Sequence, residues 1–388
     1  MPVRLSLTLI TGLAMAGVAL LAAAPGSGAD TVSPLVTKAW TGRVWTTVSA
    51  NGQFSCGIHD DQSLWCWGSN FFGNLGLGDT VDRDTPTRVG SSADWTDVAA
   101  GSLHSCGIRD GGSLWCWGSN SWGDLGLGDN QDRDVPTRVA GGRWAEVQAG
   151  AEHTCGIRLD HTLWCWGEGA WGALGLGDHD SRLVPTRVGS DADWLSVRAG
   201  ELHTCAVKVD HTLWCWGWNL LGQLGVGDET SRFEPTQVGT KADWAIAPSG
   251  WGHSCAVRLD HSLWCWGANT YGGLGTGDTV QRDSPTQIGS GRDWATVETG
   301  FTYTCGTRLD GTLWCWGHNP HGALGLGDAD DRLTPTQVGT ATGWQQVSAG
   351  YKHTCAVRVA HGLWCWGHNK AGQLGTGDLF RRLVPSRL

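Results

Sequence analysis

The 388-residue chain has few charged residues and no cluster of basic ones. Charged residues make up 16% of the sequence, and 27 Lys and Arg against 37 Asp and Glu give a formal net charge of -10. Binding to nucleic acid needs a concentrated basic surface that neutralises phosphates, so we expect no nucleic-acid partner. The acidic residues are spread singly along the chain, so an acidic tail is lacking as well.

Two further features are missing after the N-terminus. No stretch there has a sustained 3.6-residue apolar period, and no stretch has the composition of a linker. The first absence predicts a mature chain without helices. The second predicts one continuous domain over residues 30–388.

The N-terminal 29 residues form a separate segment. A weakly basic start precedes an apolar run over residues 5–24, and small residues follow at 27–29. This pattern predicts a secretory signal peptide over residues 1–29, cleaved near Ala29. An uncleaved membrane anchor is the alternative, because the run is long enough to span a bilayer. The small residues and the missing basic stop favour cleavage, so we expect a secreted monomer without a stable membrane anchor.

What the sequence has in abundance is Gly (60), Trp (26) and Cys (14), and these residues recur in seven copies of one unit. The first cysteine of each C-x9-C pair recurs at intervals of 50, 49, 50, 50, 50 and 50 residues. Each unit contains LWCWG, then a G-x-L-G-x-G-D turn, then an Arg four residues after the Asp. Such a period indicates a repeat architecture in which each unit is one structural module.

Each unit has the pattern of short strands. The segments W-x-x-V-x-A-G, H-T-C-x-V and L-W-C-W alternate or favour β structure, and turn residues bound them. The Pro-Thr-Arg/Gln-Val segment adds a fourth strand at the edge, because Pro cannot donate to a ladder. Seven four-stranded units of about 50 residues predict an all-β, seven-bladed β-propeller with one blade per unit. An open β-solenoid is the alternative. Residues 33–36 and 384–388 both resemble the edge strand, and which of them closes the ring is left open.

One segment carries a family resemblance. H-T-C-A-V-x-x-D-H-T-L-W-C-W-G-x-N-x-x-G-Q-L-G-x-G-D, from His203 to Asp228, resembles the repeat of the regulator of chromosome condensation family. The resemblance implies a seven-bladed propeller over the whole mature chain. The family's nuclear founder is an exchange factor, but the signal peptide, the negative charge and the lack of a protruding insertion argue against that activity. The setting is closer to secreted bacterial members, which include β-lactamase-inhibiting proteins.

The cysteines are predicted to form one disulfide in every blade. A tight turn between the two cysteines of a unit places them opposite each other on adjacent strands, and the expected export favours oxidation. The predicted pairs are Cys56 with Cys66, Cys106 with Cys116, Cys155 with Cys165, Cys205 with Cys215, Cys255 with Cys265, Cys305 with Cys315 and Cys355 with Cys365.

Metal and catalytic alternatives are weaker. A zinc site at His153, Cys155 and Cys165 has three ligands where a structural site wants four. A Cys–His nucleophile would be unique, whereas this pair recurs from blade to blade. The Asp and Arg that recur four residues apart offer one carboxylate, too few for calcium, and predict a structural salt bridge. We therefore expect no cofactor, no metal and no catalytic residues.

Comparison of the seven units separates architecture from recognition. Two windows vary most: the pair before the recurrent His, and the residues around the Asn after WG. Of 26 Trp, 21 occupy fixed positions, and four of the other five lie in these windows. The predicted binding residues are Phe71, Phe72, Trp122, Trp171, Trp218, Trp251, Tyr271, Phe301, His321 and Tyr351.

Aromatic residues among polar groups are typical of protein interfaces. The sequence thus predicts a non-enzymatic secreted protein that binds a partner protein, with an inhibited enzyme among the candidates. A carbohydrate-binding propeller is the alternative. It would be expected to reuse one site per blade, whereas these windows differ between blades. An enzyme is a third class, but no singular nucleophile, base or metal set supports it.

Overall fold

The computed structural model describes residues 44–359 and 362–388, which form 28 strands in seven four-stranded antiparallel sheets. The predicted all-β, seven-bladed propeller is confirmed, with one blade per repeat. No described residue lies in a helix, and therefore none lies in a helix long and apolar enough to cross a membrane. The predicted signal peptide and residues 33–36 lie outside the described residues.

Every blade consists of four consecutive strands. Blade 1 contains β1 (Trp45–Asn51), β2 (Phe54–His59), β3 (Ser63–Gly68) and β4 (Arg83–Ala93), and blade 2 contains β5 (Trp95–Ala100), β6 (His104–Arg109), β7 (Ser113–Gly118) and β8 (Arg133–Arg138). Blade 3 contains β9 (Trp144–Ala149), β10 (His153–Arg158), β11 (Leu163–Gly167) and β12 (Arg182–Arg187), and blade 4 contains β13 (Trp194–Ala199), β14 (His203–Lys208), β15 (Thr212–Gly217) and β16 (Arg232–Ala242). Blade 5 contains β17 (Trp244–Ile246), β18 (His253–Arg258), β19 (Leu263–Gly267) and β20 (Arg282–Gln287), and blade 6 contains β21 (Trp294–Thr299), β22 (Tyr303–Arg308), β23 (Leu313–Gly317) and β24 (Arg332–Gln337). Blade 7 contains β25 (Trp344–Ala349), β26 (His353–Arg358), β27 (Leu363–Gly367) and β28 (Arg382–Arg387).

The ring closes between blades 7 and 1 by side-chain contacts. The backbone N–H of Val48 donates to Oε1 of Gln346 at 3.1 Å, and that of Ala50 donates to Oγ of Ser348 at 2.9 Å. The C-terminal strand β28 pairs with β27 as the outer strand of blade 7. The Pro-containing segment at the C-terminus therefore completes its own blade.

All fourteen cysteines form the predicted disulfides. Cys155 lies opposite Cys165 in the register of β10 and β11, and the same pairing recurs in all blades with Cα atoms 4.0–4.1 Å apart. No cysteine is free. The zinc and nucleophile alternatives are thereby removed, because a disulfide sulfur serves neither purpose.

The two tryptophans of LWCWG have different surroundings. Trp166 is fully buried and contacts Trp144 of the same blade edge to face, with the ring centres 5.5 Å apart. Trp164 is half-buried, and the guanidinium of Arg158 lies 3.5 Å from its ring centre and 5.1 Å from that of Trp144. A cation between two tryptophans recurs in blades 2 to 7, and blade 1 has His59 there, with its ring 4.0 Å from that of Trp45.

The recurrent histidine links neighbouring blades. His153 is buried, and its Nε2 lies 3.0 Å from Oγ1 of Thr204 in the next blade. That hydroxyl donates its only hydrogen to the carbonyl of Ala173, so the imidazole donates through Nε2. Tyr303 takes this place in blade 6 and Phe54 in blade 1. Burial lowers the pKa of these histidines to between about 3 and about 4: His104, His153, His203, His253 and His353.

The recurrent Asp–Arg pairs are salt bridges within the turn, as predicted. Asp228 Oδ2 lies 2.6 Å from Arg232 Nη2, and the seven equivalent distances are 2.5–2.7 Å. The other carboxylate oxygen of Asp228 accepts the backbone N–H of Thr230 at 2.8 Å. Each pair therefore holds the loop between the third and fourth strands.

Candidate functional site

The two variable windows lie on the same face of the propeller. In an antiparallel meander the first strand ends where the third strand ends, so the first turn and the long third loop of each blade emerge together. We call the surface formed by these turns and loops the variable face. The turns between second and third strands form the opposite face.

Four of the predicted binding residues form a continuous row. The ring centres of Trp218 and Trp251 are 6.4 Å apart, those of Trp251 and Phe301 are 5.0 Å apart, and those of Phe301 and Tyr351 are 4.5 Å apart. The four residues come from blades 4, 5, 6 and 7, and each is partly exposed. We call these four side chains the aromatic row.

The other predicted residues lie elsewhere on the variable face. Phe71 and Phe72 contact each other edge to face, with ring centres 4.9 Å apart, and Phe71 is 73% exposed. The ring of Tyr271 lies against that of His318 with centres 4.0 Å apart, and the ring centres of His321 and His368 are 5.1 Å apart. Trp122 and Trp171 are 45% and 47% exposed. Neither is among the aromatic contacts of the row, so the ten residues form several groups.

Tyr351 also closes the central channel at this face. Its hydroxyl lies beside the carboxyl of Glu201 in blade 4, which accepts a hydrogen bond from Oγ of Ser102 in blade 2 at 3.4 Å. A cavity of about 40 Å³ directly below touches the turns of six blades, which places it on the axis. Burial raises the pKa of Glu201, and burial together with Glu201 raises that of Tyr351.

The channel below holds one cation among three carboxyl groups. Arg198 forms an ion pair with Glu146 of the preceding blade. Burial raises the pKa of Glu298 to about 7, and burial together with Glu146 raises that of Asp97 to about 6. The channel cavity measures about 280 Å³ and is lined by the first strands of six blades and, in blade 5, by Pro248 and Ser249 just after β17.

A larger cavity of about 500 Å³ opens on the variable face beside the mouth. Phe71, Phe72, Leu103 and Leu202 form its apolar walls, and its other lining includes Glu152, Glu201 and Tyr351. We call it the acidic pocket. Of its lining residues, the Phe pair and Tyr351 were predicted from the sequence as binding residues, and Glu152 was predicted to lie in a variable window used for recognition.

Two more carboxyl groups adjoin Glu152 and form with it an acid cluster. Burial, a hydrogen bond with Glu152 and the charges of Glu152 and Asp124 raise the pKa of Glu168 to about 8. Burial, and then the charge of Glu152, raise the pKa of Asp124 to about 7. Perturbed carboxyl groups of this kind gather at functional sites. The sequence predicts recognition at Glu168 to Trp171, where Glu168-Gly169 replaces a dipeptide that ends in Asn in every other blade, but it did not single out Asp124.

Models of the regulator of chromosome condensation (RCC1) repeat match most of the chain. One matches residues 61–108, 111–157, 160–207, 210–257, 260–306 and 310–357. A second matches residues 45–74, 95–123, 194–223, 245–272 and 344–373.

The similar proteins and solved structures share only limited sequence with this chain. The chain is 36% identical over 67 residues to the ultraviolet-B receptor UVR8 of Arabidopsis thaliana, a match that covers 17% of this chain and 15% of the receptor. Human WBSCR16 superposes with a TM-score of 0.76 at 21% identity, covering 84% of this chain and 93% of that one. Yeast RCC1 (Prp20), crystallised with Kap60, gives 0.76 at 18% identity, covering 90% and 85%. At these identities the two structures support the fold.

Proposed function

Since the chain belongs to the regulator of chromosome condensation repeat family, whose repeats supply a rigid ring with variable turns, we propose that it is a non-enzymatic binding protein that engages a partner protein. The carrying observation is the aromatic row, in which four rings from four blades contact one another on the variable face. Large aromatic side chains that cluster beside polar groups are the anchors of protein interfaces. An enzyme that the propeller inhibits is among the candidate partners.

A structural relative supports a protein partner over a small molecule. Yeast Prp20, which shares the fold, was crystallised bound to the protein Kap60. In this chain the row extends across turns that the repeat leaves free to vary, and it is therefore available for recognition without cost to the blades.

The proposal includes export, as in a secreted bacterial protein, with a signal peptide over residues 1–29. Support comes from the seven disulfides and the lack of a free cysteine, because such bonds persist in oxidising compartments outside the cytosol. N-terminal sequencing of protein from culture supernatant should give Asp30 as the first residue. A chain that keeps residues 1–29 and sediments with membranes would contradict export by cleavage.

Partner binding is tested by affinity capture from culture supernatant with mass spectrometry. We expect the W218A/W251A/F301A variant to lose at least 90% of the captured partner, because it removes three of four anchors. A matched control is L259A/L309A, which removes side chains 51% and 59% exposed on the opposite face. Equal capture by wild type and the aromatic variant would overturn the proposal.

A carbohydrate ligand is the second candidate. The observation in its favour is that aromatic rings and the carboxyl groups of Glu152 and Glu201 line one cavity. A glycan array with the mature protein distinguishes the candidates, since a lectin should bind a defined glycan set and lose it in the same aromatic variant. Absence of glycan binding together with partner capture would support the protein ligand.

A further inference from the structure

The acid cluster lacks the counter-charge that other carboxyl groups of the fold have. Each turn aspartate pairs with an arginine, as Asp129 does with Arg133 at 2.7 Å. Among residues 44–359 and 362–388, no salt bridge includes Asp124, Glu152 or Glu168. Carboxyl groups gathered without a cation destabilise the folded state, so the cluster needs a reason beyond the fold.

Asp124 provides a second and independent observation. Its side chain is 2% exposed, and its Oδ1 is buried without a hydrogen-bond partner. That oxygen lies against the backbone before Glu168, 3.0 Å from where a Cβ on Gly167 would be. An unpartnered carboxylate oxygen thus lies at the cluster, beside the backbone that carries Glu168.

The fold does not require a charge at position 124. The equivalent residue in blade 4 is Gln223, whose Oε1 accepts the backbone N–H of Leu221 at 3.0 Å. In blade 1 it is Asn74, whose amide donates to the carbonyl of Ser69 at 2.7 Å. Neutral amides therefore serve the loop elsewhere, and the negative charge of Asp124 has no structural counterpart.

Asp124 belongs to the long loop of blade 2, and the other two acids are specific to blade 3. The residues equivalent to Glu168 are Ser69, Ser119, Trp218, Ala268, His318 and His368. The residues equivalent to Glu152 are Gln53, Leu103, Leu202, Gly252, Thr302 and Lys352. Outside blades 2 and 3, no repeat has an acidic residue at any of the three positions, so the cluster arises where two adjacent blades depart from the common plan.

The adjoining cavity indicates what kind of cation fits. The acidic pocket has about 500 Å³ of space, with Phe71, Phe72 and Leu103 on its walls and Glu152 at its edge. Apolar walls beside carboxylates suit an arginine or lysine side chain, whose aliphatic stem packs while its head meets the charges. In the described part of the chain, no three His, Cys, Asp or Glu side chains are grouped so as to hold a metal ion.

We propose that the acidic pocket and the acid cluster receive a basic side chain, arginine foremost, of the partner protein. The inference rests on the proposed function for its partner and names the chemistry that the site recognises. The guanidinium lies between the carboxylates of Glu152 and Glu168, and Phe71 and Phe72 contact its stem.

The opposite side of the variable face has the opposite charge. His321 lies in the field of Lys352, Lys370 and Arg381 from blade 7 and its loop. A basic group of the partner is repelled there and attracted at blade 3, so the charge distribution fixes one docking orientation.

The test uses N-acetyl-arginine amide as the probe and N-acetyl-citrulline amide, of nearly the same shape without the charge, as its control. Binding is followed by backbone amide shifts of the ¹⁵N-labelled full protein at pH 8. We expect saturable shifts at Glu152 and Glu168, with at least tenfold weaker binding of citrulline. The isosteric E152Q/E168Q variant should weaken arginine binding at least tenfold, and the D60N/D110N variant, neutralising two exposed acids on the opposite face, should not.

Three results would overturn the inference: equal binding of both probes, undiminished binding to E152Q/E168Q, or Ca²⁺ that displaces the arginine probe and causes the same shifts. Capture of the partner then separates this inference from the proposed function. If the aromatic variant loses the partner while E152Q/E168Q keeps it, the function stands and the arginine site is wrong. The reverse result would leave the arginine site and remove the role of the aromatic row.

Discussion

The rings of Phe301 and Tyr351 stack with centres 4.5 Å apart and planes at 20°, although the residues belong to neighbouring blades. The hydroxyl of Tyr351 also reaches Glu201, three blades away around the ring. Side chains that vary between repeats thus connect blades above the channel, in addition to the recurrent contacts of the core. The aromatic row is therefore held in place before any partner arrives, which lowers the ordering cost of binding.

A double-mutant cycle of F301A and Y351A should show energetic coupling between the two rings. Stacked aromatic pairs contribute about 0.5–1.5 kcal/mol beyond their buried area, so the double variant should lose less stability than the sum of the singles by that amount. Guanidinium denaturation followed by circular dichroism measures it. The W122A/W171A pair, without a mutual ring contact in the described structure, should be additive, and additivity of F301A with Y351A would contradict the stacking.

Removal of one disulfide should destabilise the protein without unfolding it. The C255A/C265A variant opens a link of sequence separation 10, and the chain-entropy model gives about 2–3 kcal/mol for a loop of that length. Denaturation measures the loss, and intact mass with and without reductant counts the six bonds that remain. C305A/C315A in blade 6 is the matched replicate. An unchanged free energy of unfolding would mean that the link does not constrain the unfolded chain.

Acid should destabilise the propeller through its buried histidines. Their folded pKa values, near 3 to 4, lie below the ordinary value of 6.5. The unfolded chain therefore binds more protons, and the stability that these residues contribute is complete above about pH 6.5 and is lost as pH falls toward 4. The midpoint of guanidinium denaturation, measured at several pH values between 7 and 4, checks this. The H253Q variant lacks one titrating ring, so the slope of the free energy of unfolding against pH should fall by the equivalent of about one proton. An unchanged slope would contradict a neutral, buried His253.

The fold could be predicted from the sequence because each local signal occurs seven times. Cys155 and Cys165 flank a short turn, so their pairing is a local contact that strand register alone decides. The edge strand followed from its proline for the same reason. One local feature was not predicted, the cation between two tryptophans. Arg158 at the end of β10 lies between Trp144 of β9 and Trp164 of β11, and the sequence alone does not show how these three strands bring them together.

The candidate site could be predicted only in part, because it is built from contacts between blades. Trp122 and Trp218 occur in similar loops, yet only Trp218 meets a neighbour's ring, since Trp251 stands in the next blade's turn. The proximity of Asp124 to Glu152 and Glu168 likewise arises where two blades adjoin. Sequence spacing has no information on which variable residues face each other around a ring. Only departures from the repeat, such as Glu168-Gly169, indicate them.

Neutral to alkaline pH should lower the free energy of unfolding of the protein, because Glu298 in the channel then loses its proton. Its pKa is about 7 in the folded protein against an ordinary value of 4.5, so the folded state holds the proton more tightly. Stability is complete below about pH 4.5 and is lost as pH rises through 7, by about 3 kcal/mol at most. The E298Q variant keeps the shape and removes the titration, so its stability should exceed that of wild type at pH 8 and above. A wild-type profile as flat as that of E298Q between pH 5 and 9 would contradict this.

Binding of the arginine probe should strengthen as pH rises from 6 to 9. In the free protein Glu168 has a pKa of about 8 and Asp124 one of about 7, held up by burial and by mutual repulsion with Glu152, with Asp132 adding to the field at Asp124. A guanidinium favours the ionised carboxylates, so below pH 8 binding must release protons and its affinity falls.

We expect the dissociation constant of N-acetyl-arginine amide to decrease at least tenfold between pH 6 and 9. Calorimetry in two buffers of different ionisation enthalpy should show about one proton released per probe at pH 7. The E168Q variant should lose the part of the pH dependence centred near 8, and D124N the part near 7. Glu201 and Tyr351 face the same cavity, but the pKa of Glu168 is raised by burial, Glu152 and Asp124 and not by Glu201, so E201Q should leave the midpoint near 8 in place. A pH-independent dissociation constant would show that the probe binds away from the acid cluster.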